Sequence, residues 1–375
     1  VRRKSLDFHA AMPILRSMRR AIRVTLKFAT QSKRRRLQHL IAEYQRVVNF
    51  YIRSLWQMPG GLNAQTRERL PASKTRCSFA FRNQAVRQAL GIIRATKNSA
   101  KGRACSMPIF NGAPVLGHSM VLIQDGCGSF DLVVRLSGLS KGNRITIPTR
   151  KTQIFNKWIS RSGARLIQGC TLGNDHLVLW VDVPERPTKK SGKRLGIDIG
   201  IHKLLTDSDG KHYGTEFKTI RDKIRRRKPG SRNRWQACQE RKNYINQIVN
   251  RLPWTRLSIL GVEHLTGLKT GKQKGRGKAF RKAVAPWTYR QVLNRIECKA
   301  QENRVRLVAI DPANTSRTCP ICGTVRRDNR RGEGFACLGC GYTADADSVA
   351  ARNILARTLA TLGSVESPKP KKAMA

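Results

Sequence analysis

Two cysteine pairs, Cys319-Pro-Ile-Cys322 and Cys337-Leu-Gly-Cys340, lie fourteen residues apart and constrain this chain more than any other feature. CxxC pairs at that separation offer four thiolates to one tetrahedral zinc ion, which then staples the segment between them. Five residues on, Asp345-Ala-Asp347-Ser-Val-Ala-Ala-Arg-Asn-Ile sets carboxylates at the head of an alanine-rich helix. The spacing predicts a zinc ribbon that runs straight into an acidic helix start.

The other six cysteines, Cys77, Cys105, Cys127, Cys170, Cys238 and Cys298, are scattered singly and read as thiols in a reducing compartment. No apolar run approaches the ~20 residues of a membrane span, and no signal-peptide pattern is seen, so a cytoplasmic, prokaryotic-type intracellular protein without a membrane partner is expected. The 375 residues carry 74 Lys and Arg against 23 Asp and Glu, a net charge of +51. Self-repulsion of that size calls for a polyanion, and nucleic acid fits far better than an anionic membrane.

Residues 21 to 28 alternate apolar with basic side chains, the period of a half-buried strand. A helical period then takes over: Leu37, Ile41, Tyr44, Val48, Tyr51 and Leu55 recur at steps of three and four. A second helix is expected from Gln84 to Ala95. From about Pro108 to Pro184, five or six short alternating segments with turn residues between them predict a small antiparallel barrel or sandwich. The boundaries that follow are a β-barrel at 1–30 and 105–186, with a helical lobe at 31–104 inserted in it.

Residues 187–193 read as a charged linker. Beyond it come a buried strand through Arg194-Leu-Gly-Ile-Asp198, hairpin strands around Ser208-Asp-Gly, and a long basic helical region over 218–250. A strand at Arg256 to Glu263, a helix at Trp287 to Glu302, a strand at Val305 to Ile310 and a last helix at Asp347 to Leu362 complete the order. That is the element order of a ribonuclease H-like domain, expected at 194–314 and 344–362 with the ribbon at 315–343. The fold class expected for the whole chain is multidomain α+β and α/β. The basic loop 270–278 and the tail 363–375 are expected to be disordered.

Three acids stand apart. Asp198 lies in one apolar strand, Glu263 ends another and Asp347 opens the last helix. A carboxylate in such a run is costly to bury unless it is paired or binds a metal. In a ribonuclease H-like sheet the three would converge, holding two divalent cations for attack of water on a phosphodiester; hard oxygen ligands favour magnesium or manganese. Each acid alone has a plain structural alternative: a turn cap for Asp198, an ion pair for Glu263, a helix N-cap for Asp347. Asp345 is the nearest rival to Asp347, and Asp207, Asp209 and Asp311 are assigned to turns.

Together, Gly196-Ile-Asp198-Ile-Gly, Val262-Glu263, Asn314-Thr-Ser-Arg-Thr-Cys-Pro-Ile-Cys-Gly, the second CxxC and Asp347-x-x-Ala-Ala-Arg-Asn-Ile resemble the transposon-encoded TnpB family and the compact type V CRISPR effectors. The motif-bearing match covers about residues 194 to 358. The resemblance implies wedge-like and recognition domains in the first half. It also implies an RNA-guided DNA endonuclease, in which a single RuvC-like site, Asp198, Glu263 and Asp347, holds magnesium. Implied partners are a guide RNA, target double-stranded DNA and its displaced strand, with a short target-adjacent motif read by the protein, which is a monomer or a homodimer. The family pattern commonly has Asn where Val349 stands.

The zinc held by Cys319, Cys322, Cys337 and Cys340 is expected to be structural rather than catalytic. Lys33 to Arg36, Arg225 to Lys228 and Lys269 to Lys282 are expected on phosphates. Arg232, Arg234, Trp235 and Tyr244 mix cations with aromatics suited to base stacking, although the two aromatics read more simply as the buried side of their helix. The rival functions are a DNA-binding repressor without cleavage and a transposition accessory protein.

Overall fold

The computed structural model describes residues 17–56, 77–126 without 101 and 103, 128–139, 142–264 and 289–366. The expected basic tract Lys269 to Lys282, Trp287 and the tail beyond Glu366 lie outside these residues; residues 363–366, expected to be disordered, instead continue the last helix to Glu366. The chain divides into two compact units, Val1–Glu185 and Arg186–Ala375.

In the first unit, β1 (Ser17–Thr25) is followed by α1 (Gln31–Trp56) and α2 (Phe79–Ala100). The six apolar positions picked out by their spacing on α1 are all buried, together with Leu40, Val47 and Ile52. Helix α2 begins five residues before the expected Gln84 because Ser78 caps it, its Oγ accepting the Phe81 backbone N–H at 3.3 Å. Next come β2 (Val115–Leu116), β3 (Val121–Asp125), β4 (Leu132–Ser137), β5 (Arg144–Thr149), α3 (Gln153–Ile159), β6 (Arg165–Leu172) and β7 (His176–Pro184). Helices and strands share one continuous core.

No closed barrel forms among the described residues. The strands make two antiparallel sheets, β1-β7-β6-β2 and β3-β4-β5. Strand β2 is only two residues long, and β6 bulges between Ile167 and Cys170 where it would have to carry pairing onward. Side chains bridge the gap instead. The Gln168 amide, freed by the bulge, donates to Ile123 O at 3.0 Å and accepts from Ile123 N at 2.6 Å, and Thr149 Oγ1 donates to Thr25 O at 3.2 Å.

The second unit opens with β8 (Lys193–Asp198), β9 (Leu205–Asp207) and β10 (His212–Tyr213), an antiparallel meander. The basic region expected as one helix is two, α4 (Phe217–Arg226) and α5 (Arg232–Asn250). Lys228-Pro-Gly breaks it: proline cannot continue a helix, Gly230 has φ +82°, and Ser231 caps α5 by accepting the Arg234 N–H. Then follow β11 (Leu257–Glu263), α6 (Tyr289–Asn303) and β12 (Arg306–Ile310). The sheet order is β10-β9-β8-β11-β12, with β8, β11 and β12 parallel. A small sheet, β13 (Arg330–Arg331), β14 (Gly334–Ala336) and β15 (Thr343–Asp345), leads into α7 (Ala346–Glu366).

Helix α7 lies on β8 and β11 because of two glycines. Gly196 and Gly261 face each other in register across the two strands. A Cβ on Gly196 would sit 2.3 Å from Ala351 O and 2.6 Å from Leu355 N; one on Gly261 would sit 2.1 Å from Thr358 Oγ1. Ala351, Leu355 and Thr358 fall on one helical face, and Asp347, one turn earlier, extends that face. No helix among the described residues is long and apolar enough to cross a membrane.

Candidate active site

Asp198 and Glu263 leave the sheet side by side. Val262 pairs with Ile197 across parallel strands, so the acids that follow both residues emerge at one level. Asp347 stands in the first turn of α7, buried. The Asp198 carboxyl is driven well above the usual carboxylate range, first by burial and then by the negative charges of Glu263 and Asp347, with Arg330 pulling the other way. The strand register and the seat of α7 on Gly196 and Gly261 bring the three acids to the same end of the sheet.

Burial also raises the Glu263 carboxyl, against the Thr315 hydroxyl, Arg357 and Arg330. Thr315 Oγ1 donates to Glu263 Oε1 at 2.5 Å. Asn314, in the left-handed region at φ +59°, turns the chain that delivers this hydroxyl, and Asn353 Nδ2 clamps the same loop through Thr315 O at 2.7 Å and Thr318 O at 2.8 Å. Arg330 reaches Asp347 Oδ1 at 3.3 Å.

Asp345 has a different task. Its Oδ1 accepts the Ser348 N–H at 3.0 Å, the bond of a helix cap, and its Oδ2 meets Lys203 Nζ at 2.7 Å. Burial pushes this carboxyl up, but Lys203 and the Ser348 N–H outweigh it and hold it below its ordinary value. The capping role considered for Asp347 therefore belongs to Asp345, and Asp347 is left to face Asp198. Asp207 accepts the Asp209 and Lys211 N–H groups and the Tyr213 hydroxyl, and Asp311 accepts the Ala313 N–H, so both serve their turns.

A divalent cation suits this donor set: three hard carboxylates are opposed by two guanidiniums, Arg330 and Arg357, and burial disfavours negative charge at both Asp198 and Glu263, which a cation would relieve. The carboxylates are more open than the cysteines, which are the one group of such ligands, among the described residues, whose donor atoms all lie within 4.8 Å of one another. Ions ~3.5–4 Å apart in a two-metal site need that wider spread.

The cysteines sit on two matching knuckles. Cys319 N donates to Thr324 O and Gly323 N to Cys319 O; Cys337 N donates to Tyr342 O and Gly341 N to Cys337 O. Gly323 and Gly341 both have φ +74°, which a Cβ would strain. Sulfur separations of 3.7 Å (Cys319–Cys340) and 3.5 Å (Cys322–Cys337) suit tetrahedral zinc, whose ~2.3 Å bonds set sulfurs about 3.8 Å apart. Cys319 and Cys337 form a small core with Phe335, Ala346 and Val349, so the ribbon is built onto the first turn of α7.

Arg330, Lys203 and Thr315 were not singled out by the sequence. Thr315 and Asn353 lie inside motifs that were, but Arg330 is one arginine among several in 326–331, and nothing local distinguishes it. Of the basic tracts, Arg34 and Arg36 spend donors on backbone carbonyls, Ala29 O, Lys27 O and Arg144 O. Trp235 is not on the buried side of its helix: it is 63% exposed.

A family model described as the TNB domain of Cas12f1-like proteins matches residues 289–354. Over 69 residues, 18% of this chain, the sequence is 45% identical to a CRISPR-associated endodeoxyribonuclease Cas12f1 of Sulfoacidibacillus thermotolerans, covering 16% of that protein. Over 220 residues, 50% of this chain, it is 27% identical to a putative RNA-guided DNA endonuclease, InsQ, of Escherichia coli K12, covering 55% of it. The chain thus spans at most about half the length of these curated relatives. A solved complex of Cas12f1 with sgRNA and target DNA has a similar fold, with a TM-score of 0.54 at 16% identity over 86% of this chain and 82% of that one. The resemblance to TnpB-like proteins and compact type V effectors expected from the motifs is borne out.

Proposed function

We propose that this protein is an RNA-guided DNA endonuclease and that Asp198, Glu263 and Asp347 form its single, RuvC-like cutting site. One observation carries the reading: Asp198, half-buried at a strand end in register beside Glu263, has its carboxyl pushed up by burial and by the charges of both Glu263 and Asp347. Natural proteins keep such mutual repulsion where it serves chemistry. The similarity to named RNA-guided endonucleases points the same way, as does a charge of +51 that a guide RNA and DNA would neutralise.

In this reading 194–314 and 344–362 make a ribonuclease H-like domain and 315–343 its zinc ribbon. Residues 1–30 and 105–186 act as a wedge-like domain, without a closed barrel, and 31–104 as the recognition lobe. The guide pairs with the target strand, and the protein reads a short adjacent motif in the duplex and the A-form shape of the hybrid.

The three carboxylates would hold magnesium or manganese, which when bound supplies an activated water and stabilises the leaving oxygen. Thr315 fixes the rotamer of Glu263. Arg330, in hydrogen-bond reach of Asp347, opposes the rise of the Asp198 and Glu263 carboxyls and would present a guanidinium to an entering phosphate. Lys203 and the helix cap hold Asp345 away from the site. The cysteine-bound zinc is a staple: its knuckles pack under α7 and fix where Asp347 stands.

The test is Asp198→Ala in the full chain with its co-purifying RNA. Magnesium-dependent cleavage of a matched target should disappear while RNA binding stays; cleavage that persists overturns the assignment.

A further inference from the structure

Trp235 is the most conspicuous apolar side chain that the proposed site does not use. It lies in the first turn of α5, 63% exposed. The segment around it is strongly cationic. From 216 to 242 there are eleven Lys and Arg (218, 221, 223, 225, 226, 227, 228, 232, 234, 241 and 242) against three acids, Glu216, Asp222 and Glu240.

Two of those acids are engaged. Asp222 lies 3.6 Å from Arg225 and 3.9 Å from Arg221, and Glu240 Oε2 meets Lys223 Nζ at 2.6 Å. No ion pair joins Arg226, Arg227, Lys228 or Arg232 to a carboxylate among the described residues, and all four are exposed. A cleft of about 510 Å³ is lined by Thr219, Asp222, Lys223, Arg226 and Arg227.

The turn bearing the indole is tied to this cationic edge through the neighbouring Arg234. Arg234 Nη1 donates to Ile224 O at 2.8 Å and Arg227 O at 3.0 Å, which locks the first turn of α5 against the end of α4. The helical turn that carries Trp235 is therefore held beside the arginine run.

A lone exposed tryptophan on a neutral surface needs no explanation. One carried beside unpaired arginines matches the two needs of an unpaired polynucleotide, a flat apolar plate for a base and cations for the phosphates. A fully paired duplex offers the phosphates but hides its base faces. We infer that the α4–α5 corner is a docking surface for single-stranded DNA, with Trp235 stacking on a base while Arg226, Arg227 and Lys228 hold the flanking phosphates. The assignment to DNA rests on the proposed nuclease function: this corner belongs to the same unit as the three acids, whose substrate in that reading is a DNA strand.

The experiment is fluorescence anisotropy in EDTA, so that binding is read without cleavage, using full-length protein stripped of nucleic acid in high salt. The probes are labelled dT12, an abasic DNA of equal length, rU12 and a 12-base-pair duplex. Trp235→Ala should weaken dT12 roughly tenfold and leave the abasic strand and the duplex unchanged, while Trp235→Phe retains most of the affinity. Arg226→Ala with Arg227→Ala should weaken dT12 and the abasic strand alike and flatten the salt dependence by about two phosphate contacts.

Unchanged dT12 binding by Trp235→Ala overturns the inference. So does a loss confined to rU12, to the duplex, or shared equally by the abasic strand. Thermal unfolding of all three variants confirms that the exposed substitutions leave the fold intact. Cleavage is assayed separately with magnesium, so a failure of the nuclease reading leaves the binding result standing, and the reverse.

Discussion

Gly196 and Gly261 stand opposite each other on adjacent parallel strands, and the missing side chains open the trough in which α7 lies. Two residues beyond each glycine comes an acid of the proposed site, Asp198 or Glu263. The same register thus sets both the seat of the helix and the carboxylates it approaches.

The two glycines should respond differently to alanine. At Gly196 the new methyl meets backbone, Ala351 O at 2.3 Å, so the helix itself has to move; at Gly261 it meets the Thr358 hydroxyl, which can turn aside by giving up its bond to Ile354 O. Gly196→Ala should cost about 1–3 kcal/mol in chemical denaturation and roughly 100-fold in cleavage, because a shift of about 1 Å in Asp347 is enough for that. Gly261→Ala should cost clearly less in both. Equal effects would show that the trough does not position the helix.

Asp198→Asn should stabilise the metal-free protein. A carboxyl raised on folding binds its proton longer in the native state than in the unfolded one, so native stability falls as pH climbs from the ordinary carboxylate range through the raised folded value. Asparagine removes that slope and should gain about 1–3 kcal/mol above the window, read as a higher melting temperature at pH 7 in EDTA. Magnesium should raise the melting temperature of the wild type and not of the variant. A variant less stable than wild type in EDTA refutes the account.

Arg330 lowers both the Asp198 and Glu263 carboxyls, so its loss lets both rise further. In Arg330→Ala the ionised site is reached only at higher pH. The acid limb of the cleavage profile should move upward, and activity near pH 7 should fall roughly 10- to 100-fold. An unmoved limb with reduced rate would assign Arg330 to substrate contact alone.

Val349 is fully buried in the ribbon core beside Phe335, facing the zinc knuckles. Val349→Asn would bury an amide in that apolar core and should cost about 1–3 kcal/mol, with faster zinc loss to a chelator. Stripping the zinc from the wild type should abolish cleavage while leaving guide RNA binding in place. Cleavage that survives complete zinc removal would show that the ribbon does not hold Asp347.

Local chemistry determined much of this protein before any coordinates were known. The two CxxC pairs require a metal knuckle because four thiolates at that spacing have no better use, and the three- and four-residue steps of α1 define its buried face because helical periodicity is a property of the chain alone. Apolar strands ending in Asp198 and Glu263 could be read for the same reason: a carboxylate there is expensive unless something exploits it. Tertiary structure decided what depends on distance. Two open sheets replace the barrel because a bulge at Gln168 and a two-residue β2 interrupt pairing, which periodicity does not report. Asp345 rather than Asp347 caps α7 because Lys203 and the Ser348 N–H are there to receive it. Arg330, one arginine in a run of similar ones, gains its role only where the ribbon folds back to Asp347, and the exposure of Trp235 follows from how α4 and α5 are latched. Contacts between residues far apart in sequence carry no periodic trace along the chain, so only folding reveals them.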